Sequence, residues 1–265
     1  MKRNFIARHW YASVYEQFEN NTNDVEFFLK VLKEQTGGTP QRILEAACGG
    51  GRISVPLAQA GHDVTGFDVD EYMLMRCYAR ISGIPNIRCY CADAVTADWG
   101  RDYDVVLMAG NVLINIESET DYAEAQATFI KKAACALRPG GHLLMDFDLH
   151  GNPEAVFNRL KQSSYFQGTD EFGTTGKTIG YGSVFDPVTR ICEATGHWEL
   201  TTNNGETFIY PSGGGHKHIP TQRQIWGWLE DAGLSIERTY KGYTDEPVPD
   251  PVEGYCKTTV WAQKN

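Results

Sequence analysis

The stretch EAACGGGR, residues 45–52, follows a short apolar run and precedes a segment with helical character. Three consecutive glycines are unfavourable in a folded chain, because glycine loses more backbone entropy on folding than any other residue. A turn that contains them must need positive φ angles or a ligand pressed against its backbone. In an open parallel sheet, ligands bind at the carboxyl ends of the strands, where a turn after the first strand would lie.

Short apolar runs alternate with helical segments on both sides of this turn. Strands are predicted at residues 42–48, 62–68, 87–93, 102–111, 141–148, 234–240 and 257–263, with helices at 24–34, 53–61, 71–83, 121–137 and 220–233. Such alternation implies right-handed crossovers and a parallel sheet that is covered on both faces. The predicted fold class is α/β, with a Rossmann-like, doubly wound, mostly parallel seven-stranded sheet.

The pattern changes after residue 150. Residues 177–211 contain three β-rich runs separated by the turn signals DPVT and NNG, which is typical of an antiparallel meander. We interpret this meander as a small cap inserted after the fifth strand. The predicted domains are N-terminal lid helices (1–40), a Rossmann-like domain (41–150 and 220–265) and a β-rich substrate cap (151–219).

Bulk composition excludes several classes of protein. The 265-residue chain has a formal net charge of −10. This charge disfavours a nucleic-acid partner, which would need clustered Lys and Arg. Neither an apolar signal core nor a membrane-spanning run is found, so we expect a cytoplasmic protein with no membrane partner.

The seven cysteines are an odd number without regular spacing, which favours a reducing compartment. Cys89 and Cys91 fit strand packing better than a zinc site, and no metal is predicted.

Two cofactor families place a glycine-rich turn after the first strand. A dinucleotide binder needs G-x-G-x-x-G, but Ser54 stands where the third glycine should be. Instead, the acidic residue at the strand end and the glycine spacing resemble the first motif of class I S-adenosylmethionine-dependent methyltransferases, with Ala47 in place of the first glycine. GFD (66–68), CADA (91–94) and LRPGGHLLMDF (137–147) resemble later motifs of that family in the same order.

The resemblance implies a cofactor, S-adenosylmethionine, a product, S-adenosylhomocysteine, and a closing antiparallel strand. It also implies that Asp68 binds the ribose hydroxyls and that Asp93 binds the adenine amino group. The other residues that it places around the cofactor are Tyr11, Glu45, Ala47, Gly49, Gly51, Arg52, Val69, Met73, Ala94, Ala109 and Gly110. Arg52 either faces the cofactor carboxylate or lies at the surface, and Met73 either contacts adenine or belongs to the core. The alternative for Asp93 is an ordinary strand-end residue. Tyr11 could equally fix its helix to the core.

The acceptor side is less specific. MAGNVLIN (108–115) resembles the corresponding stretch of glycine N-methyltransferase-like enzymes, which implies that Asn111 lies beside cofactor and acceptor. Asp148 stands about where those enzymes carry a basic residue, so a cationic or polyhydroxylated acceptor is expected. His150 is a candidate base, because its ordinary pKa suits proton transfer near neutrality. His216, beside three glycines, is a candidate for a substrate loop, with His218 on the same face.

These features predict a methyltransferase that acts on a nitrogen or oxygen of a small molecule by in-line displacement. The alternatives are a non-catalytic protein that binds S-adenosylmethionine and an NAD(P)-dependent oxidoreductase. We expect a monomer or a homodimer.

Overall fold

The structure is a computed structural model that describes residues 2–116, 118, 121–159, 161–212 and 215–265. The chain divides into two compact units. The Rossmann unit consists of Thr22–Asn152 and Pro220–Asn265, and the cap unit consists of Met1–Asn21 and Pro153–Ile219. No helix in the described ranges combines the length and the apolar character needed to cross a membrane.

The Rossmann unit contains a seven-stranded sheet. Its strands are β1 Arg42–Ala46, β2 Asp63–Asp68, β3 Ile87–Cys91, β4 Tyr103–Met108, β5 Leu137–His150, β11 Leu234–Lys241 and β12 Tyr255–Lys264. Their order in the sheet is β11-β12-β5-β4-β1-β2-β3. The pairs β3–β2, β2–β1, β1–β4 and β4–β5 are parallel. Strand β12 runs antiparallel to both of its neighbours, β5 and β11. The predicted fold class, including its antiparallel last strand, is confirmed.

Helices cover both faces of this sheet. They are α2 Asn23–Gln35, α3 Ser54–Gln59, α4 Glu71–Ile81, α5 Tyr122–Ala136 and α7 Gln222–Asp231. Successive residues of β4 are buried on opposite faces: Val106 packs in a cluster with Phe129 of α5, and Val105 in another with Phe28 of α2. Thr221 begins α7 with a capping box, as an N-cap threonine predicts. Burial on both faces leaves the ends of the strands as the place for chemistry.

The cap unit is an antiparallel sheet with two helices. Its elements are α1 Lys2–Phe18, α6 Pro153–Phe157, β6 Ser163–Thr169, β7 Thr175–Phe185, β8 Ile191–Thr201, β9 Thr207–Pro211 and β10 Gly215–His218. The strand order is β10-β8-β7-β6, and β9 also pairs with β8. The predicted meander corresponds to β7, β8 and β9. The strands β6 and β10 were not predicted, because their sequences, SSYFQGT and GHKH, have little of the apolar alternation of a buried strand.

The two N-terminal helices belong to different units, whereas the sequence suggested one lid segment over residues 1–40. Helix α1 buries Trp10 and Val14 in a cluster with Trp198 of the cap sheet. Helix α2 buries Phe28 and Val31 in the Rossmann unit instead. The two helices belong to different units because their apolar residues pack against different sheets. Helical spacing in the sequence predicts each helix but does not show which sheet it packs against.

Candidate functional site

The glycine turn after β1 adopts a conformation that demands small residues. Ala47, Gly49 and Gly51 all have positive φ, at 59°, 52° and 78°. A Cβ atom on Gly51 would lie 2.9 Å from Cys77 Sγ, and one on Gly49 would lie 3.4 Å from Met73 Cε. Gly51 therefore has no room for a side chain, and glycine at position 49 avoids the strain of a positive φ. Both glycines leave the main chain of the turn without covering side chains.

Asp68 connects the end of β2 to this turn. Its Oδ2 accepts a hydrogen bond from the Gly49 N–H at 2.7 Å, and its Oδ1 accepts one from the Asp70 N–H at 2.8 Å. Burial raises the pKa of Asp68, although both backbone donors oppose the shift. Each carboxylate oxygen can accept a second hydrogen bond, so the group can also bind a diol. Val69 is 65% exposed beside it, and Met73 is half-buried over Gly49.

Glu45 lies beneath the turn and does not reach its surface. The side chain is buried and accepts a hydrogen bond from the hydroxyl of Ser54, the first residue of α3. Burial raises the pKa of Glu45 to about 8, against the opposing effect of Ser54. Glu45 is therefore protonated at neutral pH. The residue that breaks the dinucleotide motif, Ser54, thus connects β1 to α3.

The raised pKa of Glu45 makes stability depend on pH. In the unfolded chain this carboxyl ionises near its ordinary value of 4.5, but in the folded protein only near 8. The contribution of Glu45 to the free energy of unfolding is therefore complete below pH 4.5 and is lost as the pH rises towards 8. We expect Glu45→Gln to gain stability over the native protein by about 1.4 kcal/mol per pH unit within this window. Urea unfolding at pH 5.5, 6.5 and 7.5 measures this, and parallel stability profiles would contradict it.

Arg52 has a protein partner. Its guanidinium makes two contacts with the Asp24 carboxylate of α2, at 2.7 and 2.5 Å, and Asp24 is buried. This ion pair connects α2 to the residues just before α3, so Arg52 has a structural role. Its predicted contact with a cofactor carboxylate stays a prediction.

Asp93 and Ala94 follow β3. Asp93 is exposed, and its Oδ1 accepts hydrogen bonds from the Val95 N–H, the Thr96 N–H and the Thr96 hydroxyl at 2.7–2.9 Å. Hydrogen bonding, first of all from the Thr96 N–H, lowers its pKa. The carbonyl of Ala94 accepts from the indole of Trp99 at 2.9 Å. Asp93 therefore organises the local turn, and its predicted contact with adenine stays a prediction.

The end of β4 is clamped to β5 by Asn111. Ala109 is buried, and the exposed Gly110 has φ of 73°. Asn111 itself adopts a left-handed conformation with φ of 57°. Its Nδ2 donates to Asp148 Oδ2, and its Oδ1 accepts from the Asp148 N–H, both at 3.0 Å. Both ends of the amide are therefore engaged by Asp148, and the predicted place of Asn111 beside cofactor and acceptor stays a prediction.

Asp146, Asp148 and His150 alternate along β5, so they share one face of the sheet. Across the antiparallel pairing, Lys257 is opposite Asp148, and Tyr255 is opposite His150. Burial raises the pKa of Asp146, and it lowers the pKa of His150 although Asp148 opposes that change. His150 is therefore neutral at pH 7.

Sequence reasoning did not find the partners of these carboxylates. Lys257 Nζ lies 3.6 Å from Asp146 Oδ2 and 3.7 Å from Asp148 Oδ1. The hydroxyl of Tyr255 donates to Asp148 Oδ1 at 3.1 Å, and that of Tyr243 donates to Asp146 Oδ2 at 2.8 Å. A basic residue is therefore present beside Asp148, but it comes from the last strand. The polar residues of KTTVWAQ and the preceding loop were the only signal for it.

Two of the residues that the sequence analysis assigned to the site lie in the cap unit. Tyr11 stacks on Trp198 with ring centroids 4.7 Å apart. His216 Nε2 lies 3.3 Å from Glu193 Oε1 on the neighbouring strand. Two of the three glycines before His216, Gly213 and Gly214, lie outside the described residues. The roles predicted for Tyr11 and His216 stay predictions.

The bare turn after β1, the carboxylate that ends β2 and the single antiparallel strand together define a Rossmann-like protein with the layout of a nucleoside-cofactor site. Residues 43–141 match the family model described as a methyltransferase domain. Glycine/sarcosine N-methyltransferase of Halorhodospira halochloris is 34% identical over 128 residues, which cover 46% of this chain and 44% of that protein. The chain spans about half the length of the curated relatives that it matches.

Solved structures resemble nearly the whole chain. An S-adenosylmethionine-dependent methyltransferase from Clostridium acetobutylicum has a TM-score of 0.70 at 13% identity, covering 91% of this chain and 90% of its own. CalS10 of Micromonospora echinaspora, an amino pentose methyltransferase with S-adenosylmethionine bound, has a TM-score of 0.68 at 16% identity and covers 96% of both chains. The fold is that of the class I S-adenosylmethionine-dependent methyltransferases. The predicted resemblance and fold are thereby confirmed, and the S-adenosylmethionine bound to CalS10 agrees with the predicted cofactor.

Proposed function

We propose that this protein transfers a methyl group from S-adenosylmethionine to an amine nitrogen of a small polyhydroxylated acceptor. The observation that carries the proposal is the polar face of β5 and β12, where Asp148, His150 and Lys257 lie at the carboxyl end of the sheet. An amino sugar matches this mixture of one carboxylate, one ammonium and one neutral imidazole. The resemblance to CalS10, whose acceptor is an amino pentose, supports the same class of acceptor.

The turn and its neighbours fit the cofactor. When bound, S-adenosylmethionine supplies an electrophilic methyl group on a sulfonium centre. The side-chain-poor backbone from Ala47 to Gly51 allows close approach, and the half-buried Asp68 carboxylate retains acceptor capacity for ribose hydroxyls. Glu45 supports this turn from beneath through Ser54.

The acceptor residues have separate tasks. Asp148 accepts hydrogen bonds from the ammonium or the hydroxyls of the acceptor, and Lys257 limits the negative charge that Asp148 presents. Asn111 fixes the direction of Asp148. An amine must lose a proton to use its lone pair, and neutral His150 can accept that proton.

An acceptor panel tests the proposal. Purified protein with S-adenosylmethionine should form S-adenosylhomocysteine with amino sugars, and more slowly with the corresponding neutral sugars or with amino acids. Binding without product formation across the panel would favour the non-catalytic alternative. Faster turnover of acidic acceptors would contradict the role of Asp148.

Asp148→Asn separates acceptor binding from cofactor binding. We expect kcat/KM for an amino sugar to fall about 10-fold, the scale of one lost charge-assisted hydrogen bond at a partly exposed site. The affinity for S-adenosylhomocysteine should be unchanged. Steady-state kinetics and calorimetry measure the two effects. Asp98→Asn, which alters an exposed turn carboxylate, is the matched control. An equal loss in both variants would contradict the assignment.

A further inference from the structure

Three cysteine thiols meet directly behind the glycine turn. Cys48 belongs to the turn, Cys77 to α4 and Cys89 to β3, and their sulfur atoms all lie within 4.8 Å of one another. The sulfur atoms of Cys77 and Cys89 are 2.9 Å apart. Cys48 and Cys77 are buried, and Cys89 is half-buried. The three residues are remote in sequence, so their spacing gave no sign of this cluster.

The backbone makes room for these sulfur atoms. A Cβ atom on Gly66 of β2 would lie 2.8 Å from Cys48 Sγ and 3.2 Å from Cys89 Sγ. One on Gly51 would lie 2.9 Å from Cys77 Sγ. Glycines therefore border the cluster on two sides, and neither could gain a side chain without displacing a thiol.

A cationic side chain lies close to the cluster. The Arg80 guanidinium of α4 donates to the carbonyl of Gly50, in the same turn as Cys48, at 2.8 Å. The thiolate is the form of cysteine that binds metal ions.

We propose that Cys48, Cys77 and Cys89 form a three-coordinate site for a soft, thiophilic metal ion, of which monovalent copper is the best match. Thiolates select soft ions, and within the described ranges no fourth His, Cys, Asp or Glu ligand joins the group. A structural zinc ion would need that fourth ligand. Metal–sulfur bonds of about 2.3 Å place three sulfur atoms about 4 Å apart. Side-chain rotation that separates Cys77 from Cys89 by roughly 1 Å would give this spacing.

Binding must release protons as well as form bonds. The ion gains three sulfur–metal bonds, and every one of the three thiols that is protonated before binding loses its proton to solvent. Metal affinity should therefore increase with pH. No change in oxidation state takes place, so no oxidant or reductant is consumed.

Titration of the reduced protein with Cu(I), in competition with a chromophoric Cu(I) chelator, tests the site. We expect one equivalent to bind tightly and Cys77→Ala to weaken that binding at least about 100-fold, the upper end of what is lost with a supporting group of a metal site. Cys192→Ala removes a buried thiol in the cap unit and is the matched control, with no expected change. Cd²⁺ titration, followed by sulfur-to-metal charge-transfer absorbance, should reproduce the pattern.

Three results would overturn the proposal. The native protein could fail to bind a stoichiometric ion, Cys77→Ala could retain full affinity, or binding could be lost with exposed Cys91 instead. Circular dichroism and thermal melting establish whether each variant is folded. If Cys77→Ala does not fold, Cys89→Ala at the half-buried edge provides the same comparison.

Discussion

Asp68→Ala is expected to weaken S-adenosylhomocysteine binding about 10- to 100-fold, which corresponds to about 1.5–3 kcal/mol for hydrogen bonds to a charged group. The Asp68 carboxylate holds the Gly49 and Asp70 N–H groups at 2.7 and 2.8 Å and retains acceptor capacity for two ribose hydroxyls. Its loss removes the ligand contacts and loosens the turn. Isothermal calorimetry measures the change in dissociation constant.

Two further variants isolate the effect of Asp68. Asp68→Asn keeps one acceptor oxygen, so its loss of affinity should be smaller than that of the alanine variant. Asp63→Ala removes an exposed carboxylate at the opposite end of the same strand and should leave the affinity unchanged. An affinity indifferent to Asp68, or equally sensitive to Asp63, would contradict the ribose assignment.

His150→Gln is expected to lower kcat for an amine acceptor about 100-fold, the lower end of what a general base contributes. Burial lowers the pKa of His150, so the native imidazole is neutral and can accept a proton down to below pH 6.5. The rate should therefore fall only when the pH drops below that value, and this acid limb should disappear in the variant. Rates measured from pH 5 to 8 test both expectations.

A second histidine on β5 is the control for this result. His142 lies near the other end of the strand, where its ring stacks on Trp261 at 4.4 Å, and burial lowers its pKa too. His142→Gln should leave the pH profile of kcat in place. Removal of Asp148, whose charge raises the pKa of His150, should shift the acid limb to lower pH. Unchanged kcat and an unchanged acid limb in His150→Gln would exclude this residue as the base.

Most of the Rossmann unit could be predicted from sequence because its strands are short apolar runs between amphipathic helices. The burial of both Val105 and Val106 explains why β4 reads as a continuous apolar run. The edge strands β6 and β10 could not be predicted, since exposed edges carry little hydrophobic pattern. The assignment of α1 and α2 to different units depends on long-range packing that local spacing does not encode.

The candidate site also has some features that the sequence predicts and others that depend on the fold. The turn at Gly49 and Gly51 could be predicted because its conformational demand is local, and the place of Asp68 could be predicted because this residue ends a strand. The pairing of Arg52 with Asp24, and of Asp148 with Lys257, joins residues far apart in the chain. Glu45 was expected around the cofactor, whereas its side chain is buried beneath the turn and burial raises its pKa to about 8. Such effects depend on the folded environment.

A crystal structure of the protein with S-adenosylhomocysteine tests the central claim most directly. We predict density for the nucleoside against the backbone of residues 47–51, with both ribose hydroxyls on the Asp68 carboxylate. The result that would contradict this account is an empty turn, with the ligand bound elsewhere or not at all at saturating concentration.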